Sequence, residues 1–180
     1  MTLAKPKPQE GEFRRVIGID PGLASTGWGV LDYDNGKIKY LDHGVILTKA
    51  DTPRADRLFF ILQCIRDLLI KFKPQEAAIE TLYFGKNVSS AIPVAEARGV
   101  ISAAIAEKGV YLHEFTPNAI KQGVTGVNAA DKKQVQEMVR LILGLEKIPK
   151  PDHAADALGA AICALNSVIT PKISHKERKV

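Results

Sequence analysis

Residues 17–29 read IGIDPGLASTGWG. The apolar run RRVIGID at 14–20 has the pattern of a buried strand, and it stops at Asp20. Pro21 and Gly22 then turn the chain, and a glycine-punctuated stretch leads back into apolar sequence. A carboxylate at the end of a buried strand is costly unless something pairs with it. Two readings supply a reason: Asp20 caps a tight turn, or it is a metal ligand in a catalytic cleft.

Working outward, TGWGVLDYD at 26–34 and KIKYLDHGVIL at 37–47 read as the second and third strands. Asn35-Gly36 between them is a strong two-residue hairpin signal, so the chain opens as an antiparallel meander. Residues 54–72 carry apolar side chains at helical spacing, with Pro53 at the start and Pro74 past the end. A short buried strand is expected at 76–80 (EAAIE), an alanine-rich helix at 90–109 and a further strand at 110–115. Two more helices follow, at about 131–143 and 152–168. The expectation is an α/β fold around a mixed five-stranded sheet, an antiparallel three-strand meander plus parallel strands, flanked by helices. Right-handed crossovers make strands one, four and five parallel. Ligands in such sheets sit beyond the carboxyl ends of the strands, where Asp20 and Glu80 both fall.

A third acidic element is PKPDHAADALGAAICAL at 149–165. Asp152 and Asp156, or His153 and Asp156, share a helix face, and the alanines and Gly159 leave little bulk between that helix and the sheet. The acids also suit a helix N-terminus through its dipole. Clustered carboxylates at a sheet edge fit Mg²⁺ or Mn²⁺, and two such ions roughly 3.5–4 Å apart hydrolyse phosphodiesters.

The 180 residues are enough for one compact domain, expected over 14–169, between a flexible N-terminal extension (1–13) and a basic flexible tail (170–180). No apolar run is long enough to span a bilayer, and MTLAKPKPQEGEF lacks a signal-peptide core, so a cytoplasmic protein without membrane contact is expected. Cys64 and Cys163 sit in apolar helical contexts and read as reduced core residues. The formal charge of +5 is concentrated in local spots: Arg14 and Arg15, then Lys121, then Lys132 and Lys133, then the tail. These suit a polyanionic partner, or simply a solvated surface.

The motifs IGIDPGLASTGWGV, AAIETLYFGKN, EARGV, IKQGVTG with Lys132, and DHAADALGAAI follow one another over roughly residues 15–168. In that order they resemble the RuvC family of Holliday junction resolvases. The resemblance implies a ribonuclease H-like fold, a homodimer, and metal-dependent paired nicks in four-way junction DNA during recombination and repair. Asp20, Glu80 and Asp156 match the family's acids, and His153 stands where the family has Asp or His. Asp152 is then a helix cap or an outer group. Tyr83 matches an aromatic that stacks on a base near the crossover, although packing beside Phe84 is the alternative. Lys121 and Lys132 match positions facing DNA. The cofactor implied is Mg²⁺ or Mn²⁺, two ions per site, and an imidazole ligand favours Mn²⁺. His153 could instead shuttle protons. A RuvA/RuvB-type branch-migration complex is implied only as a partner of the family.

Three rivals have to be weighed. A sugar-kinase-type ATPase opens with a similar strand but needs two such domains, more than 180 residues supply. A ribonuclease H acting on RNA–DNA hybrids shares the acids without needing the small-residue helix SAIPVAEARGVISAAIA as a dimer face. A non-catalytic junction-binding module would not need Asp20, Glu80 and Asp156 together.

Overall fold

The computed structural model describes residues 13–81 and 88–169. Residues 1–12 of the N-terminal extension, the basic tail and Tyr83 with its neighbour Phe84 lie outside the described residues. The elements run β1 (Arg14–Asp20), β2 (Ser25–Asp34), β3 (Lys37–Leu47), α1 (Arg54–Phe72), β4 (Glu76–Glu80), α2 (Val88–Glu107), β5 (Tyr111–Phe115), α3 (Pro117–Thr125), α4 (Lys132–Ile142) and α5 (Asp152–Ile169). One sheet has the order β3-β2-β1-β4-β5. The first three strands are antiparallel, and β1, β4 and β5 are parallel, as the crossover argument required.

Alternation along the strands splits the core into two layers. Ile17, Ile19, Ala77 and Ile79 face α1 and α2, where they meet Ile61, Ile65, Ala97 and Ile101. Val16, Leu31 and Ala78 face the other way, against α3, α4 and α5 through Ile120, Val139, Leu158 and Ile162. The hairpin between β2 and β3 turns on Asn35 (φ 49°) and Gly36 (φ 80°), the two positive dihedrals that a type I′ turn demands.

Helix ends moved where capping chemistry decides them. The alanine-rich helix stops at Glu107, two residues before the expected boundary. Gly109 takes φ 64°, and the amides of Gly109 and Val110 return to the carbonyls of Ala106 and Ile105, closing the helix before β5 begins at Tyr111. Asp131 caps α4 in a reciprocal box with Gln134 rather than belonging to the helix.

The sequence reading left 117–125 without an element, and this segment is α3. Thr116 accepts the Ala119 amide, Pro117 occupies the first turn and Gly126 closes the helix at φ 75°. Gly123 inside it obscured the pattern. A Cβ there would press on Cys163 Sγ, so the glycine lets α3 approach α5. Cys163 is buried, and burial pushes its thiol up to about 11, in keeping with a core residue.

The Arg14–Arg15 basic spot is corrected. Arg14 is 2% exposed and grips the fully buried Glu76 with two bonds of 2.6 and 2.8 Å. It also donates to the carbonyls of Ala164 and Leu165 on α5. His113 Nε2 lies 2.6 Å from the second Glu76 oxygen. Burial works against the Glu76 charge, but the bonds from His113 and Arg14 outweigh it and hold the carboxyl below its ordinary range. Arg15 pairs with Asp32. Neither arginine is a free surface cation.

Candidate active site

The glycines of the opening motif build the site. Gly18 lies opposite Gly29, and Asp20 opposite Gly27, across the β1–β2 ladder. Residues paired in this way project from the same face, which here is the α5 face. A Cβ on Gly18 would collide with the Ala157 carbonyl, one on Gly27 with the His153 carbonyl, and one on Gly29 with Leu158. These three positions form a floor without side chains, and the alanine-rich α5 rests its backbone on it. The sequence reading assigned the close approach to the alanines and Gly159 of the helix. The glycines of β1 and β2 are the other half of the contact.

This approach brings the first turn of α5 beside the end of β1. His153 Nδ1 is 2.7 Å from Asp20 Oδ2. Ligand atoms of Asp20, His153 and Asp156 lie within 4.8 Å of one another. Glu80 is not part of that group. It ends β4 one step beyond the Ile19–Ile79 pairing, so it stands next to Asp20 at the neighbouring strand end. A cleft of ≈ 200 Å³ is lined by Glu80, Lys121, Lys132 and Asp156, with Ile120 and Val135 behind them. Lys132 Nζ lies 3.0 Å from Asp156 Oδ2 and 3.6 Å from Asp152 Oδ2. Asp152 is held by Lys150 at 2.9 Å and lies outside the triad.

The electrostatics describe a centre that resists its own negative charge. Burial pushes the Asp20 carboxyl up, helped by Asp156 and opposed by the bond to His153. Glu80 is pushed up to about 7, first by burial and then by Asp20 and Asp156, with Lys121 and Lys132 offsetting part of this. Burial works against the Lys132 ammonium, yet Asp156 and Asp152 outweigh it and raise its pKa. Hard oxygen donors and one imidazole, converging where carboxylates repel one another, fit a Mg²⁺- or Mn²⁺-type cation.

A model of one family, Crossover junction endodeoxyribonuclease RuvC, matches residues 16–164. The chain belongs to the RuvC family. The relatives agree along most of its length. The RuvC of Treponema denticola is 52% identical over 151 residues, covering 84% of this chain and 85% of that one. That of Finegoldia magna is 50% identical over 149 residues, covering 83% and 91%. Among solved structures, T. thermophilus RuvC in complex with Holliday junction substrate superposes with a TM-score of 0.82 at 34% identity, covering 87% of this chain and 96% of that one. The family is one of endodeoxyribonucleases, and membership implies use of a divalent metal. The fold is that of its ribonuclease H-like members. Among the described residues, no helix is long and apolar enough to cross a membrane.

Sequence reasoning did not find the Arg14–Glu76–His113 cluster: Arg14 reads as a surface cation, and Glu76 and His113 as ordinary strand residues, until β1, β4 and β5 are aligned. It also missed Arg57 and Thr48, which are joined beside the glycine turn by a 2.8 Å hydrogen bond. A lone arginine in the first turn of a helix carries no signal of that.

Proposed function

We propose that Asp20, Glu80, His153 and Asp156 are the hydrolytic centre of a crossover junction endonuclease that resolves four-way DNA junctions by paired, symmetric nicks. The observation that carries this reading is the convergence of Asp20, His153 and Asp156 within 4.8 Å, beside Glu80 on the adjacent strand end. Asp20, Glu80, His153 and Asp156 would be the side chains that hold the divalent cations, as hard oxygen donors with one imidazole. When bound, the cations activate a water and stabilise the leaving oxygen of the phosphodiester. Asp20 orients His153 through their 2.7 Å hydrogen bond, so that the ring meets the cleft in one pose. Lys121 and Lys132 line the same cleft and meet the phosphates of the incoming strand. Tyr83 is assigned the base-stacking role by resemblance. His153 as a ligand favours Mn²⁺ over Mg²⁺, and equal rates across both titrations would remove that preference.

A homodimer fits this chemistry, because two centres related by a two-fold axis cut a two-fold junction symmetrically. The support within the chain is α2, which exposes Ile92 at 46% and has open space around Gly99. A RuvA/RuvB-type branch-migration complex is carried over by resemblance alone. The test is a labelled four-way junction, a matched duplex and an RNA–DNA hybrid, each incubated with Mg²⁺ or Mn²⁺. Paired nicks confined to the junction are expected. Hybrid cleavage with an intact junction would overturn the reading in favour of a ribonuclease.

A further inference from the structure

A second concavity, ≈ 490 Å³, adjoins the centre at His153, whereas the Lys121–Lys132 cleft adjoins it at Glu80 and Asp156. Its walls are the glycine turn 21–25, the first turns of α1 with Arg54 and Arg57, and Pro93 and Val94 of α2. None of its lining residues is acidic. Arg54 is exposed and shares its charge with Glu96 at 3.3 Å. Arg57 is different. It is half-buried, and its Nε donates to Thr48 Oγ1 at 2.8 Å. The Thr48 hydroxyl in turn donates to the Leu23 carbonyl at 2.5 Å, and the Thr48 amide to the Ala24 carbonyl at 3.1 Å. Thr48 thus bolts the guanidinium to the loop that follows Asp20. Its terminal nitrogens have no partner among the described residues.

A guanidinium held through Nε, with its other donors free, is pre-organised to meet the oxygens of a phosphate. Here it faces a concavity whose far wall is a catalytic side chain. We propose that Arg57 is a positioning residue that binds one phosphodiester of the cleaved strand on the His153 side of the centre. The strand is then held on both sides of the scissile bond, by Arg57 at one end and by Lys121 and Lys132 at the other. This inference rests on the nuclease reading above.

The experiment uses four-way junctions carrying a single neutral methylphosphonate at each of the four phosphates on either side of the cleavage point. Wild-type protein is expected to lose about 10-fold in cleavage rate at one position on the side of the scissile phosphate away from the Lys121 and Lys132 contacts, in addition to any loss at those contacts. Arg57→Gln is expected to cut the unmodified junction about 10-fold more slowly, to lower the salt slope of binding by about one, and to lose sensitivity at that position. Arg57→Lys should keep the salt slope but not the full rate. A thermal melt checks folding. If Arg57→Gln melts like wild type and keeps the same position-by-position pattern, the proposal is overturned. If Arg57→Gln fails to fold, the wild-type pattern and Arg57→Lys decide, and a wild-type pattern with sensitive phosphates on only one side of the scissile bond overturns it. Failure of the wild-type protein to cut the unmodified junction would instead count against the nuclease reading.

Discussion

Glu80 offers a measurement that needs no substrate. Its carboxyl is pushed from an ordinary 4.5 up to about 7, first by burial and then by Asp20 and Asp156. A folded-state pKa above the unfolded value means that folding favours the protonated acid. The stabilisation is therefore full below about pH 4.5, is lost as pH rises through 7, and leaves a metal-free protein carrying a repelled charge at pH 8. At 1.36 kcal/mol per pH unit the difference is about 3 kcal/mol, and screening in a solvent-reached cleft reduces it to about 2 kcal/mol. Urea unfolding in EDTA, at steps from pH 5 to pH 8, compares wild type with Glu80→Gln. The variant should gain about 2 kcal/mol on wild type across that range, because an amide carries no charge to repel. Added Mg²⁺ should narrow or reverse the gap, since only wild type keeps the full donor set and ligand binding stabilises the folded form by mass action. Parallel pH curves for the two proteins would refute the raised Glu80 pKa and with it the burial and charge crowding that produce it.

Other outcomes follow from the same geometry. Asp20→Asn should lower junction nicking at least about 100-fold while junction binding, measured by gel shift, persists, because phosphate contact and cation ligation fall on different side chains. Gly27→Ala places a methyl group against the His153 carbonyl, and should cost about 1–3 kcal/mol in urea unfolding with a disproportionate loss of nicking as α5 is lifted. Glu76→Ala leaves Arg14 buried without its counter-charge and should destabilise by about 3–5 kcal/mol, read as a lower melting temperature.

Much of this architecture was readable before any coordinates, because the relevant signals are local and periodic. Asn35-Gly36 announces its hairpin, and α1 was bounded correctly by Pro53, Pro74 and an apolar face through Ile61, Ile65 and Leu69. Asp20 and Glu80 were placed side by side because topology alone puts both at strand ends. What stayed hidden depends on contacts between distant segments. That Gly18, Gly27 and Gly29 serve α5 requires knowing what lies above them. The Arg14–Glu76 pair joins charges that the sequence separates, and its burial reverses the surface role read from the Arg14-Arg15 dipeptide. Helix α3 was lost because Gly123 resembles a loop residue until Cys163 is seen against it. Asp152 and His153 cannot be ranked by spacing; that Asp152 meets Lys150 and Lys132 while His153 meets Asp20 shows only once α5 is seated.

The Arg14 clamp grips α5 by the carbonyls of Ala164 and Leu165, about 14 Å along the axis from Asp156 at 1.5 Å per residue. A helix held there and seated on Gly18, Gly27 and Gly29 resists sliding more than it resists a small swing. Any adjustment of His153 and Asp156 relative to Asp20 is then a small rotation about that clamp, with the displacement largest at the end that bears the chemistry. The spacing of His153 and Asp156 from Asp20 is in effect an angle, set from the opposite end of β1. Substitutions around Arg14, Glu76 and His113 should therefore register at Asp20, His153 and Asp156 as well as in the stability of the fold.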